Sequence, residues 1–453
     1  MMADMKIISG SRFIDKLFGK LYCIITDNVR AIHPKSAYLL KYKNHSALSF
    51  ASFISARISF QSNRTFSKLI VRIAIVGIML GLGVMILTIA IIRGFKTEIK
   101  QKVRGFAGDI QVQKFDNNYS DQNSPIDVDN AFVKKVKASP LFTHIMPIAT
   151  KPGIIKTRTE IEGVVVKGVD KNYDWAFFKK NLVTGKVIDF SDTTSAQKQI
   201  MISSYTAGRL NLKVGDRFLM YFVQEPLKKR PFTIVGIFDV GVEDIDKTFV
   251  VGDLSLLVKL NNWNPDEIGG YELRVADFDH VDAANDFLSD KMPLKLKSYT
   301  VSDSYPTIFE WLKLLDVNAQ VMLILMLVVA TINMISALLI MILERTSMIG
   351  MLKAMGAGNW TIQKIFLYNA SYLIGIGLLL GNIFGLGIGF FQSSTHFLKL
   401  DEASYYMKFV PIEVHWLDIV LLNIGTLVIC VLVLILPSTL VTKISPVKAI
   451  RFK

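Results

Sequence analysis

Four long stretches of this chain carry no charged side chain, and they limit its fold more than any other feature. They run Ile73–Ile92, Val317–Leu343, Ile365–Thr395 and Ile419–Thr442. Each is long enough to cross a hydrocarbon core, which takes about 20 helical residues. A fully buried core helix would explain one such stretch; four in one chain predict four transmembrane helices, at 73–92, 317–343, 365–391 and 419–442. The first begins too late for a cleavable signal peptide, so it is expected to act as an uncleaved anchor.

The flanking charges predict the orientation. Residues 1–72 hold 12 Lys or Arg against three Asp, which accounts for most of a net charge of +14. This excess sits ahead of the first apolar run and is explained by retention in the cytoplasm, with no need for nucleic acid. Arg345, Lys353 and Lys364 face only Glu344 in the loop after the second run, and Lys443, Lys448, Arg451 and Lys453 follow the fourth. Between the third and fourth runs, in the short loop 392–418, Lys399 and Lys408 are balanced by Asp401, Glu402 and Glu413. Both termini and the 344–364 loop are therefore predicted cytoplasmic, with residues 93–316 outside. The expected fold class is a membrane α-helical protein with a large mixed α+β extracytoplasmic domain between helices 1 and 2.

Within that domain, Val, Ile, Phe and Tyr enrichment with flanking turn residues predicts strands at 109–115, 161–169, 218–223, 232–239, 248–251 and 271–275. Helices are predicted at 128–137, 253–260 and 281–291, and Gly215 is read as the turn glycine of Leu212–Asp216. Ile99 and Val103, with Phe95 and Phe106 near the same face, continue helix 1 as a stalk. Phe309, Leu312 and Leu315 do the same ahead of helix 2. The basic segment 1–46 is expected to have low structural importance, and 47–72 forms a cytoplasmic lead into helix 1.

No chemistry-bearing motif emerges. There is no G-x-x-x-x-G-K-[ST] phosphate loop, no H-E-x-x-H and no G-x-S-x-G. The six histidines lack metal-ligand spacing. No cofactor or metal is expected, and the chain is not expected to be an enzyme. The apolar runs lack the carboxylates and bases of an ion relay. Cys23 and Cys430 would lie in different compartments, which excludes a disulfide between them. What remains is packing and docking. Gly377, Gly381, Gly385 and Gly389 recur every fourth residue, with a shorter echo in Gly77 and Gly81, and make a smooth ridge for close helix approach. Glu344–Gly358 reads as a short helix presenting Met348, Leu352 and Met355, with Ile349 adjacent.

Several of these residues form a recognisable set. Glu344-Arg345 followed by Ile349-Gly350-x-Leu352-Lys353-Ala354-x-Gly356-Ala357 resembles the signature of FtsX-like ABC permeases, and Pro437-Ser438 with Ser445–Arg451 resembles their ending. Phe53-Ile54-x-x-Arg57 and Gly94-Phe95 resemble the lipoprotein-releasing permeases of the LolC/LolE family. The resemblance runs from about Leu48 to Arg451. It implies two permease copies or paralogues working with a separate ATPase dimer. Glu344, Arg345, Met348, Ile349, Leu352, Lys353 and Gly356 would form the coupling helix. The substrate would be a lipoprotein, passed from the inner membrane and its lipid to a periplasmic carrier. Tyr221–Phe232 is a hairpin that resembles the family's carrier hook, with Gln224, Pro226 and Phe232 in the matching positions and Lys228, Lys229 and Arg230 at its tip. The resemblance leaves two alternatives open: a mechanotransmitting export permease for another substrate, a type that often carries a fused ATPase, and an FtsX-like regulator of a cell-wall hydrolase, a type with a smaller outer domain; the absence of both features here favours lipoprotein release.

Overall fold

The computed structural model describes residues 65–116, 122–158, 160–401 and 405–444. The basic extension 1–46, residues 47–64 with the Phe53–Arg57 motif, and the Ser445–Arg451 ending lie outside them. Among the described residues, four helices are long and apolar enough to cross a membrane. They are α1 (Thr65–Ala107), α5 (Pro306–Glu344), α7 (Asn359–Thr395) and α8 (Trp416–Ser438). The shorter helices cited below are α2 (Asn130–Ala138), α3 (Leu254–Leu260), α4 (Val281–Lys291) and α6 (Thr346–Ala354).

Both predicted stalks are helical. α1 runs 15 residues past Ile92 without a break. Its Phe95, Ile99, Val103 and Phe106 are all buried, as the spacing of four predicts. α5 starts at Pro306, where the missing N–H costs nothing because a first-turn amide has no helical acceptor. Just ahead of it, Thr300 and Asp303 form a capping box that fixes the entry to the stalk.

The domain between the stalks is built on a ten-stranded sheet in the order β12-β1-β11-β3-β4-β9-β6-β8-β5, with β7 pairing both β3 and β8; β1 is Ile110–Lys114, β5 Leu182–Gly185 and β12 Leu296–Thr300. The strands that matter here are β3 (Phe142–Lys156), β4 (Ile161–Val169), β6 (Gln199–Ser203), β7 (Arg217–Phe222), β8 (Lys228–Phe238), β9 (Phe249–Asp253) and β11 (Gly270–Val275). The path β3-β4-β9-β6-β8-β7 returns to β3, so six strands close on themselves and leave no edge between them. One core lies against α2, α3 and α4, around Phe132, Leu257 and Leu288. A second lies under the stalks and joins Phe95, Ile99 and Phe106 to Ile308, Phe309 and Leu312.

The described chain divides into two compact units. One holds Ile70–Ala337 and Leu373–Val433; the other includes Leu338–Tyr372 and the residues from Leu434 onward.

Candidate functional site

The helix after the second span is bounded by local chemistry. α5 ends at Glu344, Arg345 leaves the helical region (φ −101°, ψ 18°), and α6 begins at Thr346. α6 stops at a glycine cap: Gly356 has φ +90°, its N–H donates to Lys353 O (3.0 Å), and Ala357 N–H donates to Leu352 O (2.9 Å). This paired closure needs a left-handed residue, and glycine takes that conformation without strain.

Burial turns the apolar face of α6 from its expected direction. Ile349 is fully enclosed, and Met348 and Leu352 are half-buried. The apolar side chains left outside are Met351, Met355 and, just beyond, Trp360, with Met355 83% exposed. Lys353 is also committed inward. Its Nζ donates to the carbonyls of Val441 (2.8 Å), Thr442 (3.2 Å) and Ile444 (2.8 Å), closing the short helix that follows α8. A cation at these free carbonyls favours the negative end of that helix. Of the expected coupling residues, Ile349 and Lys353 thus hold α6 in place from within. Met351, which the sequence reading did not single out, stands with Met355 on the open side.

The expected hook is the β7–β8 hairpin, paired from Arg217↔Thr233 to Phe222↔Lys228. Its tip is Val223–Leu227, with Val223 and Leu227 exposed and a cis bond before Pro226. Lys228, Lys229 and Arg230 are therefore strand residues and not tip residues. Lys228 Nζ donates to Leu260 O (2.8 Å) and Asn262 Oδ1 (3.0 Å), and Gln224 Nε2 donates to Leu260 O (3.3 Å). These bonds tie the hairpin to the end of α3. Phe232 is buried between Phe218 and Phe222, so its ring belongs to the core and is not presented at the surface.

Where α1 enters the sheet, its last carbonyls meet side chains from several strands. Arg274 Nη2 donates to Gly105 O (2.8 Å), Gln111 Nε2 to Ala107 O (3.1 Å), and Lys167 Nζ to Phe106 O. The Lys167 ammonium also donates to Glu272 Oε2 (2.5 Å) and to the Tyr173 hydroxyl oxygen (3.1 Å), while that hydroxyl donates to Glu272 Oε1 (3.3 Å). Lys167 and Glu272 are both out of solvent. Burial lowers the Lys167 pKa against the opposing pull of Glu272, and burial raises Tyr173 well above the usual phenol value. Arg104 pairs with buried Asp109, whose Oδ2 accepts Val275 N–H (2.9 Å). Sequence reasoning passed over this cluster. The available signal was a single Lys within Val164–Val169 and, in Tyr271–Val275, Glu272 and Arg274 set among apolar strand residues.

The glycine ridge faces α1. A Cβ on Gly377 would stand 2.7 Å from Ile78 Cβ, one on Gly381 2.9 Å from Leu82 Cβ, and one on Gly385 3.0 Å from Gly83 O. Gly389 is looser, 3.4 Å from Ile412 Cγ2. On α1, Gly77 makes room for Asn333, whose Nδ2 donates to Ala74 O (3.2 Å), while a Cβ on Gly81 would stand 3.7 Å from Ala330 Cβ. Between α7 and α8, Asn382 Nδ2 donates to Asn423 Oδ1 (2.8 Å) and Asn423 Nδ2 donates to Asn382 Oδ1 (3.0 Å). Such pairs satisfy polar groups that lipid cannot. Among the described residues, no group of His, Cys, Asp and Glu could hold a metal ion.

Comparison with known proteins matches two parts of the chain to family models. Residues 73–290 match the MacB-like periplasmic core domain, and residues 320–446 match the FtsX-like permease C-terminal region. Similar relatives include the lipoprotein-releasing system transmembrane protein LolE of Haemophilus influenzae. It is 22% identical over 400 residues, which are 84% of this chain and 94% of that protein. LolC of Xylella fastidiosa (strain 9a5c) is 23% identical over 411 residues, 86% of this chain and 95% of the relative. Among solved structures, the periplasmic region of MacB from Actinobacillus actinomycetemcomitans is similar over 46% of this chain and 95% of its own. The identity there is 13% and the TM-score 0.32.

Proposed function

We propose that this chain, an ABC-transporter permease built from a MacB-like periplasmic core domain and an FtsX-like C-terminal region, extracts lipoproteins from the inner membrane and hands them to a periplasmic carrier. One observation carries the reading: the similarity to lipoprotein-releasing permeases spans 84–86% of this chain and 94–95% of those relatives, membrane helices and outer domain together.

Within this reading, both termini and α6 face the cytoplasm. Two copies, or this chain and a paralogue, sit on a separate ATPase dimer. The open side of α6, with Met351 and Met355, docks on that ATPase, and Ile349 and Lys353 keep the helix from shearing away. Nucleotide-driven movement at α6 passes along the stalks to the outer domain. The hairpin tip at Gln224–Leu227, flanked by exposed Lys229 and Arg230, receives the carrier.

The test is depletion of the protein, followed by separation of inner and outer membranes and blotting for outer-membrane lipoproteins. Accumulation of mature lipoproteins in the inner membrane is the expected result. An unchanged distribution would leave the permease architecture standing and remove this substrate.

A further inference from the structure

Between α7 and α8 the chain turns back on itself. Leu400 N–H donates to Lys408 O (3.0 Å), Val410 N–H donates to Leu398 O (3.1 Å), and Lys399 bridges Phe409. The inner side of this hairpin belongs to the stalks. Met407 is buried, and Leu400, Tyr406 and Val410 pack on the cluster around Phe95, Ile99 and Leu312. Lys102 Nζ donates to Tyr406 O (2.7 Å), and Tyr406 meets Trp311 edge to face at 6.4 Å.

The depth of the segment follows from its contacts with α1. Glu413 N–H donates to Ala90 O (3.0 Å), and a Cβ on Gly94 would stand 2.8 Å from Pro411 O. Ile412 lies beside Gly389, which in turn neighbours Leu87. Ala90 and Leu87 are inside the charge-free run of α1, about 5 and 9 Å below Arg93 at the helical rise of ~1.5 Å per residue. The strand leaving the hairpin thus descends to the level of the apolar run before α8 begins.

The outer side of the same segment is aromatic and uncovered. Phe391, Phe397, Leu398, Phe409, Val414 and Trp416 all face outward, with Phe397 72% and Trp416 77% exposed. They lie between the exposed apolar stripe of α7 (Leu379, Ile383, Phe390) and that of α8 (Leu417, Leu421, Ile424), with the exposed polar side chains of Ser393, Thr395, His396 and His415 interspersed. Water would penalise such a surface. The boundary between headgroups and acyl chains suits it, and aromatic side chains concentrate there.

We propose that residues 396–401 and 405–416 are seated at the headgroup boundary of the outer leaflet, with this aromatic side on bilayer phospholipid. The occupant is phospholipid because the exposed aromatic side chains adjoin two membrane spans and the strand leaving the hairpin, residues 411–413, reaches the depth of the apolar run of α1. The hairpin then holds the root of both stalks at a fixed level of the bilayer.

The experiment uses the full chain in vesicles of phosphatidylcholine and phosphatidylglycerol, with Cys23→Ser and Cys430→Ala. A spin label is placed at Phe397→Cys or Phe409→Cys, and at Leu294→Cys, a fully exposed site on the domain, as reference. Collision with oxygen should exceed that at the reference, while collision with a water-soluble nickel chelate falls several-fold. Independently, brominated phosphatidylcholine should quench the intrinsic tryptophan fluorescence, and Trp416→Phe should remove part of that quenching. Nickel access equal to that at the reference overturns the proposal. So does quenching that Trp416→Phe leaves unchanged, or chain-to-chain cross-linking through Phe397→Cys, which would put a second copy on this surface.

Discussion

Lys167 is held by three partners from three elements: Phe106 O at the end of α1, Tyr173 beyond β4, and Glu272 on β11. Removing one member of a buried pair leaves the other charged and unsolvated, which costs about 3–5 kcal/mol. Lys167→Met should therefore lower the thermal unfolding temperature of the purified protein sharply. Lys167→Met with Glu272→Met should recover most of the loss, since no lone charge remains; equal losses in both variants would show the pair to be uncoupled. Asp246 gives a pH signature of its own. Its carboxylate accepts N–H bonds from Val240 (3.1 Å), Gly241 (2.8 Å) and Val242 (3.3 Å), which favour the charged form. Burial outweighs them, helped by nearby Asp239, and raises the pKa from 3.8 to about 6. The folded chain therefore binds this proton more tightly than the unfolded chain does. The contribution to stability is greatest below pH 4 and declines as pH rises to 6, by at most about 3 kcal/mol, and is level above. Asp246→Asn should flatten that window in denaturant titrations at stepped pH; a slope that persists would assign it to another group.

The glycines of α7 provide a matched comparison. A side chain at Gly381 collides with Leu82, whereas nothing lies within 4 Å of a Cβ at Gly387. Gly381→Leu should cost about 1–3 kcal/mol of stability in detergent, as overpacking does, and Gly387→Leu close to nothing. Equal effects would mean that the ridge is not a packing surface. On α6, Met355→Asp should abolish co-purification of the proposed ATPase partner while the permease stays folded; full retention would remove this side of the helix as its proposed dock. The ridge was legible in the sequence because a spacing of four is local, and so were the stalks and the strands β4 and β11. β3 was missed although it is the longest strand at 15 residues. Its Pro147 and Pro152 cannot donate to a ladder, and proline ordinarily argues against an interior strand. β6 was missed because five residues with Ile200, Met201 and Ile202 all buried show no alternation. The roles of Lys353 and Lys167 depend on partners 88 and 105 positions away, beyond the reach of any periodicity. The sequence placed Lys228–Arg230 at the hairpin tip because it could not show that pairing begins at Lys228.

Across the whole molecule, the two stalks are joined by an ion pair as well as by apolar packing. Lys96 Nζ lies 2.6 Å from Asp316 Oδ2, and Arg93 reaches Asp418 at the start of α8 at 2.9 Å. Both pairs are partly exposed, and such pairs contribute about 0–1 kcal/mol each. Their loss should therefore spare the fold and disturb coordinated movement. On the function proposed above, Lys96→Glu should reduce lipoprotein release several-fold with ATP hydrolysis by the proposed ATPase partner retained, and adding Asp316→Lys should restore it; unchanged release would limit the pair to the surface. The geometry of α1 gives this arrangement a mechanical meaning. A helix of 43 residues is about 65 Å long at ~1.5 Å per residue. With its last turn gripped by Arg274, Lys167 and Gln111, it has no swivel at the far end. It is a lever arm welded to its load: each degree of tilt about the inner end carries the sheet about 1 Å sideways, given that length.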